Sequence, residues 1–310
     1  MRVAVLGVLL LGVLFVALTR TQVGRDELRD QVEGFVEGEL QGRLQIGRLT
    51  GNLLFDLYAS EIALFDGEGN VVASVDSVVL RPKWWPLLTR REIQVDEVLV
   101  VRPRVTMHRD SAGVWDLVAA LQPRVPSAEP PPPLTIRSAD IEVIDGALLT
   151  SRDGSAPRLV AEGTLFDVTK TEVRGLDVRG ALDWTPDAVA IEVKRLAARL
   201  PTLPLRIVDL EGTLRLDASR VALDDFRLVT GETRTEGTRL TGFAVLEAPD
   251  DRALATVPSA EQRLDLRIAA ARIDLAEVRR VVPASPLADA LALDLAAEGA
   301  LDAVDLRTLR

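Results

Sequence analysis

Between residues 92 and 108 the chain reads EIQVDEVLVVRPRVTMH, a run in which apolar and polar residues largely alternate. Ile93, Val95, Leu99, Val101, Val105 and Met107 take the odd positions, and Gln94, Asp96, Arg102, Arg104 and His108 take even ones. Successive side chains of a β-strand point to opposite faces, so a period of two predicts a strand that is apolar on one side only. The same pattern recurs in VVASVDSVVLR, in AVAIEVK with Val189, Ile191 and Val193, and in RLDLRIAA with Leu264, Leu266 and Ile268. Turn signals separate these runs, as in FDGEGNVV at 65–72 and SRDGSAP at 151–157. The expected product is a mainly β chain whose antiparallel-type sheet has one greasy and one charged face. A greasy face must be covered. Helical sequence is scarce after residue 134, with only LAEVRRVV (275–282) and PLADALA (286–292) as short candidates. Either a second sheet closes the core, or the sheet curls into a groove that holds lipid tails.

A short motif repeats along these strands. Gly-Ala-Leu or Gly-Thr-Leu occurs at Gly146, Gly163, Gly180, Gly212 and Gly299, with a looser form at Gly242. The first three glycines are 17 residues apart, and the next steps, to Gly212 and Gly242, are 32 and 30. Such self-similarity marks stacked supersecondary units that share one continuous apolar surface. Around Gly212 the motif predicts a bend or close strand approach, with Leu214 and Leu216 facing one side.

Composition removes several functions. A net charge of −10 and a pI near 4.9 argue against the electropositive face that nucleic acid requires. With no cysteine and one histidine, thiolate chemistry, disulfides and multi-histidine metal sites are excluded. His108 stands beside Arg109, Asp110 and Ser111, but neighbours on one strand end do not converge, and no nucleophile elbow accompanies them. Asp66, Glu68 and Asn70 alternate as in a cation loop but lack the downstream bidentate carboxylate, so DGEGN reads as a turn. No catalytic constellation and no cofactor motif emerges, and the chain reads as a non-enzyme.

The first residues, MRVAVLGVLLLGVLFVALTR, carry no charge from Val3 through Leu10 to Leu18, the lower edge of a bilayer span. A cleavable signal would need a small-residue site, and Ala17-Leu18-Thr19 before Arg20 is a poor one, so residues 1–20 read as an uncleaved anchor that exports the rest of the chain. Residues 24–42 predict an amphipathic helix with Leu28, Val32, Phe35, Val36 and Leu40 on one face, capping the end of the next sheet. A β module is expected over 43–122 and the repeated sheet over 134–310. Between them, 123–133 contains four consecutive prolines, an extended spacer. In LRPKWWPLLTRR, Trp84 and Trp85 among cations fit a strand connection packed over the sheet end, or a membrane interface.

Taken together, the anchor, TQVGRDELRD and its helix, GRLQIGRLTGNLLFDLYASEIALFDGEGNVVASVDSVVLRP and REIQVDEVLVVRPRVTMHRDSAGVWDL resemble the N-terminal region of TamB and AsmA-like proteins. The Gly-Thr-Leu strands and IDLAEVRRVVP resemble that family's later repeats. The resemblance implies a bacterial inner-membrane protein, single-pass, with its bulk in the periplasm and a long, taco-shaped β-groove. It further implies phospholipid acyl chains as cargo, or outer-membrane protein assembly with a barrel partner of the TamA type, and no active site. The chain departs from the family in being shorter than TamB proteins and lacking their C-terminal domain. Groove-lining candidates are then Ile93, Val95, Leu99, Val101, Val105, Met107, Leu214, Leu216, Leu264, Leu266 and Ile268.

Overall fold

The structure is a computed structural model that describes residues 22–52, 56–83, 86, 92–110, 114–124, 135–152, 170–203, 205–233, 237–249, 261–281, 291–300 and 303–309. Fourteen strands form one sheet. In the first half lie β1 (Arg43–Asn52), β2 (Asp56–Phe65), β3 (Val71–Lys83), β4 (Glu92–Val101), β5 (Arg104–Arg109), β6 (Thr135–Arg152) and β7 (Lys170–Trp184). The second half holds β8 (Ala188–Leu200), β9 (Leu205–Asp217), β10 (Arg220–Thr230), β11 (Arg239–Glu247), β12 (Arg263–Ile273), β13 (Leu291–Ala300) and β14 (Ala303–Leu309). Their order follows the chain, except that β5 continues the line of β4 between β3 and β6. The sheet is mixed rather than wholly antiparallel, because β4 and β5 both pair with β6 in parallel. That pairing makes the predicted β module and the repeat region parts of one sheet. Residues 291–292, expected to end a short helix, begin β13 instead.

Strict alternation fails along two transverse lines, and register shows how. On β6, Val143 pairs with Val178 and Gly146 with Leu176, so β6 advances three residues while β7 advances two. The odd step turns the far part of β6 over. On the near side of this first line the residue opposite Val143 is Val100; on the far side the row of Leu148 holds Val105 and Ala73. Glu61, Arg102, Asp145 and Gly175, with φ between 50° and 56°, sit on this line. A second line carries bulges on β4, β6, β8 and β10, each an extra residue that bends its strand. Opposite the last three bulges stand Gly180, Gly212 and Gly242. The 32- and 30-residue steps between these glycines are therefore hairpins, a glycine strand followed by a bulged one. The close approach is severe: a Cβ on Gly180 would lie 2.2 Å from the Glu192 carbonyl oxygen, and one on Gly242 1.9 Å from that of Arg267. Gly146 belongs to the first line, and Gly163 lies outside the described residues.

Among the described residues three named helices accompany the sheet: α1 (Gln22–Glu39), α2 (Asp116–Ala120) and α3 (Leu275–Val281). The first lies against β1 with Arg29, Glu33, Val36 and Leu40 half-buried, whereas Val32 and Phe35 of the predicted apolar face are exposed. Glu33 accepts the Ile46 N–H at 2.5 Å, filling an edge donor of β1. The ends of α1 and α2 are tied by Gln41 N–H to the Gln122 carbonyl (2.9 Å) and Gly42 N–H to that of Ala120 (2.7 Å). In α3 the buried Glu277 accepts bonds from the hydroxyls of Thr230 (2.6 Å) and Thr238 (2.8 Å) and from Thr238 N–H (3.2 Å). Removing that acceptor strands buried donors, a cost of about 1–3 kcal/mol. We expect Glu277→Ala to speed amide exchange in α3 and in residues 237–240 while leaving β1–β3 unchanged, a pattern that hydrogen exchange reads directly.

Candidate functional site

Opposed residues in a sheet share a face, so register alone traces the apolar surface. One row starts on β1 as Leu49, Ala59, Val78, Val100, Val143 and Val178. It continues through Leu196, Leu210, Leu228, Leu240 and Ala270 on β12. No polar side chain interrupts it. At roughly 4.8 Å per strand the row is about 48 Å long. Parallel rows flank it: Leu80, Val98 and Ile141 lead through the glycines to Phe226 and Ile268, and Leu182, Ile191, Leu214 and Leu223 form the next.

This surface is incompletely covered. In the long row only Ala59 and Ala270 are buried; the valines and leucines remain half-buried. Among the described residues the only large side chain under 2% exposed is Val72, which adjoins Ala73 and therefore faces the other side. A closed sandwich would bury such leucines between two layers. Trp184, paired with Ile136 and Val189 at one margin of the apolar face, is 49% exposed.

The groove candidates divide between faces. Ile93 and Val95 join the apolar rows through Ile136 and Ser138, and Val105 and Met107 through Leu148 and Thr150. Leu214, Leu216, Leu264, Leu266 and Ile268 do so through Ile191, Val189, Leu246, Ala244 and Gly242. Leu99 and Val101 point the other way. The β4 bulge between Val95 and Val98 puts them opposite Val79 and Ser77, in line with Glu142 and Ile144. Sequence reasoning in turn missed Val98 and Val100, which occupy even positions. The predicted span, with Val3, Leu10 and Leu18, lies outside the described residues, as do Trp84 and Trp85. Among the described residues no helix is long and apolar enough to cross a membrane.

The opposite face is ionic. Arg179 binds Asp140 through two nitrogens at 3.1 and 2.8 Å, and this bond from its guanidinium holds the carboxyl below its ordinary value. Arg102 pairs with Asp76 (2.7 Å), Arg137 with Asp183 (3.1 Å), and Arg81 with both Asp56 and Glu97. Asp66 accepts bonds from Glu68 N–H, Asn70 N–H and the Asn70 amide at 2.8–3.0 Å, so the DGEGN segment is a self-satisfied hairpin turn. His108 Nδ1 lies 2.9 Å from Ser151 Oγ, and Asp116, which could complete a triad, accepts the His108 backbone N–H instead. Among the described residues no three metal-ligating side chains cluster. No family model matches the sequence, and no curated protein is significantly similar to it.

Proposed function

We propose that this chain is a lipid-binding groove protein of the TamB and AsmA-like type, anchored in a bacterial inner membrane by residues 1–20 with its sheet in the periplasm. The observation that supports this reading is the uninterrupted row from Leu49 to Ala270, greasy over about 48 Å and half-buried at every position but Ala59 and Ala270. Such a surface suits acyl chains that lie along the row and shift from strand to strand without crossing a polar barrier. The two lines of bulges favour a curled sheet, because each bulge bends its strand and raises the local twist. On this reading the protein supports phospholipid movement between inner and outer membranes. Assistance to outer-membrane protein assembly with a TamA-type barrel is the other activity carried by the resemblance.

Photo-crosslinking separates this from a closed protein core. A crosslinker at Leu210 or Leu228 is expected to capture phospholipid in cells, and one at Leu99 or Val79 is not. Capture confined to Leu99 and Val79, or a lipid-free protein by native mass spectrometry after gentle extraction, would overturn it.

A further inference from the structure

Three arginines stand directly opposite one another on adjacent strands: Arg174 on β7, Arg199 on β8 and Arg206 on β9. They occupy the ionic face, since Ala198 and Ile207 beside them join the apolar side. Like charges in directly opposed positions repel, and a sheet gains nothing from placing three together. The outer two are compensated, Arg174 by Glu172 and Arg206 by Glu232 at 3.6 Å. Arg199 is different: among the described residues no carboxylate lies within 4.0 Å of it. Its guanidinium sits against the sheet backbone. It lies over Gly175, where a Cβ would stand 3.2 Å from Nη2 and 3.5 Å from Nε. Gly175, with φ at 55°, shares its left-handed conformation with Glu61, Arg102 and Asp145, and as the one glycine among these four it leaves the backbone beneath Arg199 bare.

The strand ends put this cation beside the apolar face. Leu200 and Leu205, the last residues of that face here, pair with each other one position beyond Arg199 and Arg206. An open cleft of ≈320 Å³ contains Arg199, Arg206, Leu200 and Leu205 together. Its two carboxylates are engaged, Glu232 with Arg206 and Glu277 with Thr230 and Thr238. We propose that the cleft holds the phosphate of a phospholipid whose acyl chains lie on the apolar face, with Arg199 as the principal anion ligand and Arg206 beside it. The assignment rests on the lipid-groove reading and adds to it a place and a chemistry for the headgroup. A guanidinium offers paired N–H donors that match phosphate geometry, and apolar side chains one residue away receive the start of the tails.

The test uses the full chain with three probes: dihexanoyl-phosphatidylglycerol, dihexanoylglycerol with the same tails and no phosphate, and inorganic phosphate. Arg199→Gln is expected to weaken the phosphatidylglycerol about tenfold, the loss of a charge-assisted bond, and to leave dihexanoylglycerol unchanged. The variant should fold with a melting temperature equal to or above the parent's, because it relieves repulsion instead of breaking an ion pair. Equal affinity of parent and variant for phosphatidylglycerol overturns the headgroup site and leaves the groove intact. If neither amphiphile binds the parent, the groove reading fails; phosphate binding lost in Arg199→Gln then keeps an anion site without lipid, and phosphate binding that is absent or unchanged ends it.

Discussion

Gly242→Ala is expected to destabilise the protein by about 2–4 kcal/mol, the upper end of the cost of forcing an atom into occupied space. The added methyl group would meet the Arg267 carbonyl oxygen at 1.9 Å and its carbon at 3.0 Å. Both are backbone atoms of the paired strand, so neither can rotate away, and relief requires β11 and β12 to separate where they hydrogen-bond. Gly34→Ala supplies the control. That glycine lies in α1 with nothing within 4 Å of its missing side chain, and alanine there should stabilise the helix by up to about 1 kcal/mol. Urea unfolding midpoints with an unchanged slope measure both. A Gly242 variant within about 0.5 kcal/mol of the parent would show that the glycine is not what lets the strands approach.

Leu210→Asp has its largest expected effect on lipid and little on the fold. Leu210 sits mid-row between Leu196 and Leu228, half-buried. On the proposed lipid-groove function a carboxylate there places charge in the path of an acyl chain, and desolvating it costs several kcal/mol, enough for at least about a tenfold loss of bound lipid. Because among the described residues no second layer covers the half-buried leucine, the carboxylate keeps access to water when lipid is absent, and the stability loss should stay near about 1 kcal/mol, the scale of the lost cross-strand contacts. A closed core reverses the order, with a loss of about 3 kcal/mol or more and no change in lipid. Lipid quantified after purification, set beside the unfolding midpoint, distinguishes the two outcomes.

What the sequence conveyed depended on whether a feature leaves a chemical trace. Alternation announced the strands, and the recurrence of glycine announced a two-strand unit, since only glycine tolerates a carbonyl as near as that of Glu192 to Gly180. The reversals of face left a fainter trace. Glu61, Arg102 and Asp145 adopt positive φ without being glycine, and each looks like an ordinary polar strand residue. The available signal is spacing: apolar residues step by three where a strand turns over, as from Ile46 to Leu49, Ala59 to Ile62 and Val75 to Val78. Read by strict alternation, Leu99 and Val101 go to the wrong face and Val98 and Val100 are overlooked. The Arg174, Arg199 and Arg206 row was invisible for another reason, because opposition across strands depends on register set by bulges on both sides.

The parallel joint at β6 has a consequence for how such a sheet assembles. In an antiparallel hairpin the sequence distance between partners shrinks toward the turn, so pairing can start at the turn and spread. Across the joint it never shrinks: Glu92 faces Thr135 and Arg104 faces Ala147, each forty-three residues apart. No pair is closer in the chain than any other, and closing the first contact carries the full loop entropy. The strands before the prolines and those after them can each zip from their own turns, and the joint closes when two ready-made edges meet. What looks like a boundary in the sequence is thus the seam at which two separately formed arrays come together as one sheet.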